Sequence, residues 1–127
     1  MLHQLGDLRL ANSSKNAIVT TNPTGGLAIA AWNLVDPGQR GATQTMELTF
    51  QGVPAEANVT LQRVDSEHGN VLPRYAAMGK PLDPTPAQVE QLNRETALPS
   101  PQPTHLTKGK LELRLEPNAL VLVTVNR

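Results

Sequence analysis

The sequence predicts a mainly β domain, an antiparallel β-sandwich with one long insertion carrying a short α-helix. Three observations predict it. About seven short apolar segments alternate with turn signals, the pattern of an antiparallel sandwich. Eleven prolines and nine glycines in 127 residues favour many turns over long helices. Between residues 65 and 104 the strand rhythm stops, and one helix signal stands alone.

The elements follow in order. Leu2 and Leu5 are three apart and Gly6 is a helix stop, so the first residues read as a single helical turn, too short to stand alone. Leu8 to Ala11 and Ala17 to Thr21 are short strands joined by the polar turn 12–16. Pro23-Thr24-Gly25-Gly26 makes a tight loop. Leu27 to Leu34 is nearly all apolar and is expected to be a strand buried on both faces, with Trp32 in the core. Asp36-Pro37-Gly38 ends it. Met46, Leu48 and Phe50 alternate with Glu47 and Thr49, the period of a half-buried strand. Asn58 to Val64 supplies another.

Six of the eleven prolines then fall between Pro81 and Pro103. Within this stretch Thr85 is a good N-cap, Pro86 suits the first helical position and Gln88 completes a capping box, so a helix is expected to run to about Thr96. Leu111, Leu113 and Leu115 alternate with Glu112 and Glu116, and Ala119 to Val125 closes the chain as a buried strand. A connection as long as 65–104 is more than a link; such loops are functional or disordered, and the capping box argues for order.

The chemistry the chain can carry is limited. Eleven basic and eleven acidic side chains cancel, a poor basis for holding nucleic acid or an anionic membrane. The longest apolar runs fall well short of the ~20 residues of a membrane span. The first residues lack the basic start and apolar stretch of a secretory signal. With no cysteine there is no thiolate zinc site or disulfide framework, and His3, His68 and His105 show no ligand spacing. No nucleophile elbow or phosphate loop is present. Glycoside hydrolysis needs two carboxyl groups across the scissile bond; the loop candidates Asp36, Asp65, Glu67 and Asp83 all read as turn formers. No catalytic residue, metal or cofactor is therefore expected. Trp32, Phe50 and Tyr75 are the only aromatic side chains, and Tyr75 alone lies in the irregular region, which makes a poor stacking platform for sugar. Asp65-Ser66-Glu67-His68-Gly69-Asn70 gathers donors and acceptors directly after a strand. It reads as a turn with local side-chain bonds or as a polar tip that meets a ligand or another domain.

The run Arg63 to Asn70, then Met78-Gly79-Lys80-Pro81, then Pro84-Thr85-Pro86-Ala87-Gln88, resembles the C-terminal region of glycoside hydrolase family 39, the β-xylosidases and their relatives. Members often show Asp-x-x-His-x-Asn, Met-Gly-x-Pro, and Pro-Thr with a glutamine opening a helix. Ala31-Trp32-Asn33 resembles the preceding strand, and residues 1–7 look like the tail of the last helix of the family's catalytic barrel. Gly69 stands where serine is common and Tyr75 where tryptophan is. The resemblance implies a retaining glycosidase built from a (β/α)8 barrel and a sandwich, with both catalytic glutamates on the barrel and none here. Residues 8–127 would then be an accessory domain whose partner is that barrel. The insertion would face the barrel near the rim of the substrate cleft, where a xylo-oligosaccharide binds, and Asp65, His68, Asn70 and Tyr75 would supply the contacts. A free-standing carbohydrate-binding or structural interaction module is the alternative.

Overall fold

Strict alternation separates the layers. Leu111, Leu113 and Leu115 are buried while Lys110, Glu112 and Arg114 are exposed, so one face of that strand meets the core and the other meets water. The computed structural model describes residues 1–126. Its strands are β1 (Leu8–Leu10), β2 (Ala17–Thr21), β3 (Leu27–Trp32), β4 (Gln44–Thr49), β5 (Asn58–Val64), β6 (Gln102–His105), β7 (Lys110–Leu115) and β8 (Leu120–Val125); two helices, α1 (Leu72–Ala77) and α2 (Pro86–Glu95), lie between β5 and β6. A six-stranded sheet in the order β1-β2-β3-β8-β5-β6 faces a two-stranded sheet of β4 and β7, and every pairing is antiparallel. The sheets are open, and the expected sandwich is what forms.

The core lies between them. Ala17, Ile29, Ala31, Val59, Val121, Val123 and Val125 from the large sheet meet Leu111, Leu113 and Leu115 from the small one. It is aliphatic throughout, and Leu106, in the corner that carries the chain from β6 to β7, is also fully buried. β3 is buried on both faces as its composition indicates, with Ala28 and Ala30 at 5% and 2% exposure opposite Ile29 and Ala31.

Several boundaries differ from expectation. β3 stops at Trp32, not Leu34, and Leu34 is exposed. The reason is Asn33. Its buried amide donates to the carbonyls of Ala42 (2.9 Å) and Leu115 (3.0 Å), which fastens the strand end across to the other sheet and turns the chain away. Trp32 falls on the outer face with Ala28 and Ala30 and is half-buried there, outside the core. The insertion closes at residue 101 rather than 104, because Gln102–His105 forms an eighth strand against β5. Prolines hid that strand; at a sheet edge the missing N–H costs no ladder bond. α1 was not expected either, and none of its residues is buried.

α2 forms as the capping box requires. The Gln88 amide donates to the Thr85 hydroxyl (3.3 Å), and the Thr85 amide donates back to the Gln88 side chain (2.9 Å). After α2 the chain returns over the outer face of the large sheet, where the buried Gln62 side chain donates to the Pro99 carbonyl at 2.9 Å. At the start of the chain, Leu2–Gln4 makes one 3-10 turn. Gly6 donates its amide to Thr20 Oγ1 at 2.8 Å, and any Cβ there would collide with the Thr21 carbonyl, so the turn reaches β2 only because residue 6 is glycine.

Asn33→Ala should lower stability by about 1–3 kcal/mol, the usual cost of leaving buried carbonyls without donors. Urea denaturation measures it, and an unchanged midpoint would show that Asn33 does not fasten the two layers.

Candidate functional site

β5 delivers Asp65 to the mouth of the insertion. The Asp65 amide donates to the His68 carbonyl at 3.0 Å and closes a tight turn. Asp65 Oδ1 accepts three bonds: from the amides of Glu67 (3.0 Å) and His68 (2.9 Å), and a 2.6 Å contact with His68 Nδ1. Arg63 Nη1 lies 3.7 Å from the other carboxylate oxygen. The carboxylate is almost wholly buried, whereas the His68 side chain is 47% exposed. Gly69 takes a φ of +67°, the left-handed region where glycine is favoured over the serine of the family pattern.

Asn70 continues the turn into α1. Its Nδ2 donates to the Ser66 carbonyl (3.1 Å), and its Oδ1 accepts from the Leu72 amide (3.1 Å), one of the orphan donors of the helix start. Ser66 Oγ and Glu116 Oε2, 3.1 Å apart, tie the loop to the end of β7. Asp65, His68 and Asn70 thus stand together in one loop. Tyr75 does not join them through any bond; from α1 its hydroxyl donates to the Pro81 carbonyl at 2.8 Å.

The candidates are therefore largely occupied with holding the insertion. Asp65, Asn70 and Tyr75 spend their polar atoms on backbone groups, and His68 spends Nδ1 on Asp65. The Asp65 pairing leaves the exposed edge of the His68 ring directed away from it. Beside the loop a polar cleft of about 280 Å³ is lined by Ser66, Glu67, Asn70, Arg74 and Glu95 among others. Arg74 Nε and Glu95 Oε2 are 3.9 Å apart across it. Sequence reasoning missed Arg74 and Glu95, because they reach the cleft only through the approach of α1 to α2, which leaves no local pattern. Among the described residues no three His, Asp or Glu side chains gather as a metal site, and no helix is long and apolar enough to cross a membrane.

Burial acts to raise the Asp65 pKa, but the bonds from the His68 ring and from the Glu67 and His68 amides outweigh it and hold the carboxyl below its ordinary 3.8.

No protein-family model matches the chain. It is 28% identical to a β-xylosidase of Geobacillus stearothermophilus, over 97% of this chain but only 25% of that protein. In fold it is similar to a monomeric β-xylosidase from Caulobacter crescentus CB15, with a TM-score of 0.76 at 15% identity over 98% of this chain and 29% of that one. A GH39 enzyme from Xanthomonas axonopodis pv. citri gives a TM-score of 0.69 at 22% identity, over 98% and 28%. The chain is thus similar along nearly its whole length to a portion of each of these proteins. It spans about a quarter of the length of the curated β-xylosidase it matches. These proteins are longer single chains, in which a region like this one is a fraction.

A depressed carboxyl contributes stability that is fully present above the unfolded value of 3.8 and is lost as pH falls through the lower folded value. Asp65→Asn removes that contribution. The wild-type chain should lose more stability than the variant as pH is lowered from 4 through this window, as read by urea midpoints; parallel losses would show that Asp65 ionisation does not matter to the fold.

Proposed function

We propose that residues 8–127 are the non-catalytic accessory sandwich of a retaining glycosidase of the β-xylosidase kind. It packs on and supports a catalytic (β/α)8 barrel in the same polypeptide, and residues 1–7 are the tail of the barrel's last helix. One observation carries the reading: the match runs through 97% of this chain yet fills a quarter of a β-xylosidase. Hydrolysis of xylosidic bonds would belong to the whole polypeptide. In this domain Asp65 is tied into its own turn and Glu95 faces Arg74.

The insertion is the part we place against the barrel. Apart from the buried Leu92, several of its apolar side chains face outward: Leu72 is 67% and Leu82 97% exposed, with Val71 and Val89 also on the surface. A helix with no buried residue, such as α1, is too short to hold itself in water and gains from a further surface to pack on. In this reading Asp65 and Asn70 set the shape of the loop and Tyr75 fixes the turn after α1. His68 presents its free edge to the barrel or to a xylo-oligosaccharide at the cleft rim.

In the full-length polypeptide, His68→Ala and Asn70→Ala should each lower thermal stability or raise KM for an aryl β-xyloside. Unchanged melting and unchanged kinetics in both would remove the loop from the interface and from the cleft. The isolated chain should not hydrolyse the same substrate and should self-associate through its uncovered apolar surface. Leu72→Glu with Leu82→Glu should restore a monomer by light scattering, and a wild-type chain that stays monomeric at millimolar concentration would count against the docking face.

A further inference from the structure

The large sheet has more strands than the small one covers, and β6 is one of its edges. Next to that edge, Arg63 Nη1 of β5 reaches across to the Arg114 carbonyl of β7 at 3.4 Å. By register Leu61 and Gln102 stand opposite each other, and Leu61 packs against the core, so both side chains are on the inner face. There they line a cavity of about 360 Å³ together with Arg63, His68, Pro99 and Ser100. Its lining shares no residue with the polar cleft beside the loop. A cavity of this size is at the small end of ligand sites and suits one compact molecule.

One buried carboxylate sets two of these side chains. Asp65 Oδ1 lies 2.6 Å from His68 Nδ1, and Asp65 Oδ2 lies 3.7 Å from Arg63 Nη1. Asp65 also accepts from two backbone amides, which favours its ionised form. An ionised carboxylate can only accept, so Nδ1 carries the ring proton, and the neutral ring leaves Nε2 as an acceptor. Arg63 commits Nη1 to the Arg114 carbonyl and to Asp65; among the described residues its Nε and Nη2 donate to nothing. Ser100 Oγ and Gln102 Oε1 are likewise unbonded among the described residues, while Gln102 Nε2 donates to the Ser100 carbonyl at 3.3 Å. The cavity therefore offers a charged donor edge, a neutral acceptor, a hydroxyl and an amide oxygen beside the hydrocarbon of Leu61 and Pro99.

We infer that this cavity binds a single sugar acid, with its carboxylate on the Nε–Nη2 edge of Arg63 and a ring hydroxyl donating to His68 Nε2. A neutral sugar brings no charge for Arg63. A fully ionised inorganic anion brings no proton for His68 Nε2. A hydroxylated carboxylate meets both, and the planar edge of a guanidinium matches a carboxylate through two parallel bonds. Arg63 is the one permanent cation in the lining and Asp65 offsets part of its charge, which suits a single carboxylate better than a doubly charged phosphate. Ser100 and Gln102 meet further hydroxyls, and the C–H face of the ring rests on Leu61 and Pro99. The inference uses only residues of this domain and goes beyond the reading of the chain as part of a glycosidase.

Titration of the 127-residue chain in dilute solution with D-glucuronate, followed by NMR of the His68 ring, tests the inference. Saturable binding with a Kd of ~1 mM or tighter is expected, with glucose and phosphate each at least ~10-fold weaker. No saturation by ~10 mM glucuronate would overturn the site. Glucose binding equally well would overturn the carboxylate contact, and phosphate binding equally well would overturn the sugar ring. Arg63→Gln should weaken glucuronate binding at least ~10-fold. That change also removes the bond to Arg114, so Ser100→Ala serves as the second variant. The Ser100 hydroxyl holds nothing among the described residues; its loss should leave melting unchanged and weaken binding ~3-fold. Full binding by both variants would overturn the assignment to this cavity. Equal binding of the methyl glycoside of glucuronate assigns the ligand to the end of a glycan, and its exclusion assigns a free acid; either outcome sustains the site.

Discussion

The meeting of two unequal aliphatic faces governs this domain. Leu111, Leu113 and Leu115 from a two-stranded sheet press into the valines and alanines of a six-stranded one. The buried members of the core are all aliphatic, with Phe50 packed at the margin, so the core relies on close approach and the many small contacts of branched aliphatics. Burying a leucine such as Leu113 is worth roughly 1.5–3 kcal/mol, so this seam supplies much of what orders the chain. Asn33 matters because it binds both layers at one end of the seam, and Leu106 because it fills the corner where the chain changes sheets. Everything else is arranged around a seam that two strands can cover and six strands overhang.

The loop after β5 shows how a polar cluster can be structural and still prepare a surface. A buried carboxylate is tolerable only when its oxygens are bonded, and Asp65 meets that condition through its own turn. Asn70 then starts α1, Thr85 and Gln88 start α2, and Pro99 brings the chain back over Gln62. The helix-starting bonds are local and Gln62–Pro99 alone among these reaches back to the sheet; each satisfies a backbone group, and of the apolar side chains of α1 and α2 only Leu92 is buried. The insertion is therefore defined in shape but weakly anchored, which suits an element that gains its remaining contacts from a neighbour.

What the sequence revealed follows from which forces leave a local mark. Alternation in 111–115 and the capping box at Thr85 are local patterns, and both elements stand where they were expected. β6 left no pattern, since Pro103 suppresses the strand signal and only pairing with β5 makes Gln102–His105 extended. α1 left none because it buries nothing. Trp32 misled because apolar neighbours suggest a core position, while the register places it on the outer face. In the site, the turn chemistry of Asp65 and Asn70 was legible. The approach of Arg74 to Glu95 depends on how two short helices meet, which no spacing records.

The outward leucines belong to the helical insertion. Leu72 and Leu82 lie in water on a segment whose shape is set by turn and capping bonds. Covering them would add the apolar burial that those bonds do not supply. Under the proposed function the covering surface is the barrel, and the insertion then gains stability from the same contact by which the sandwich would brace its neighbour.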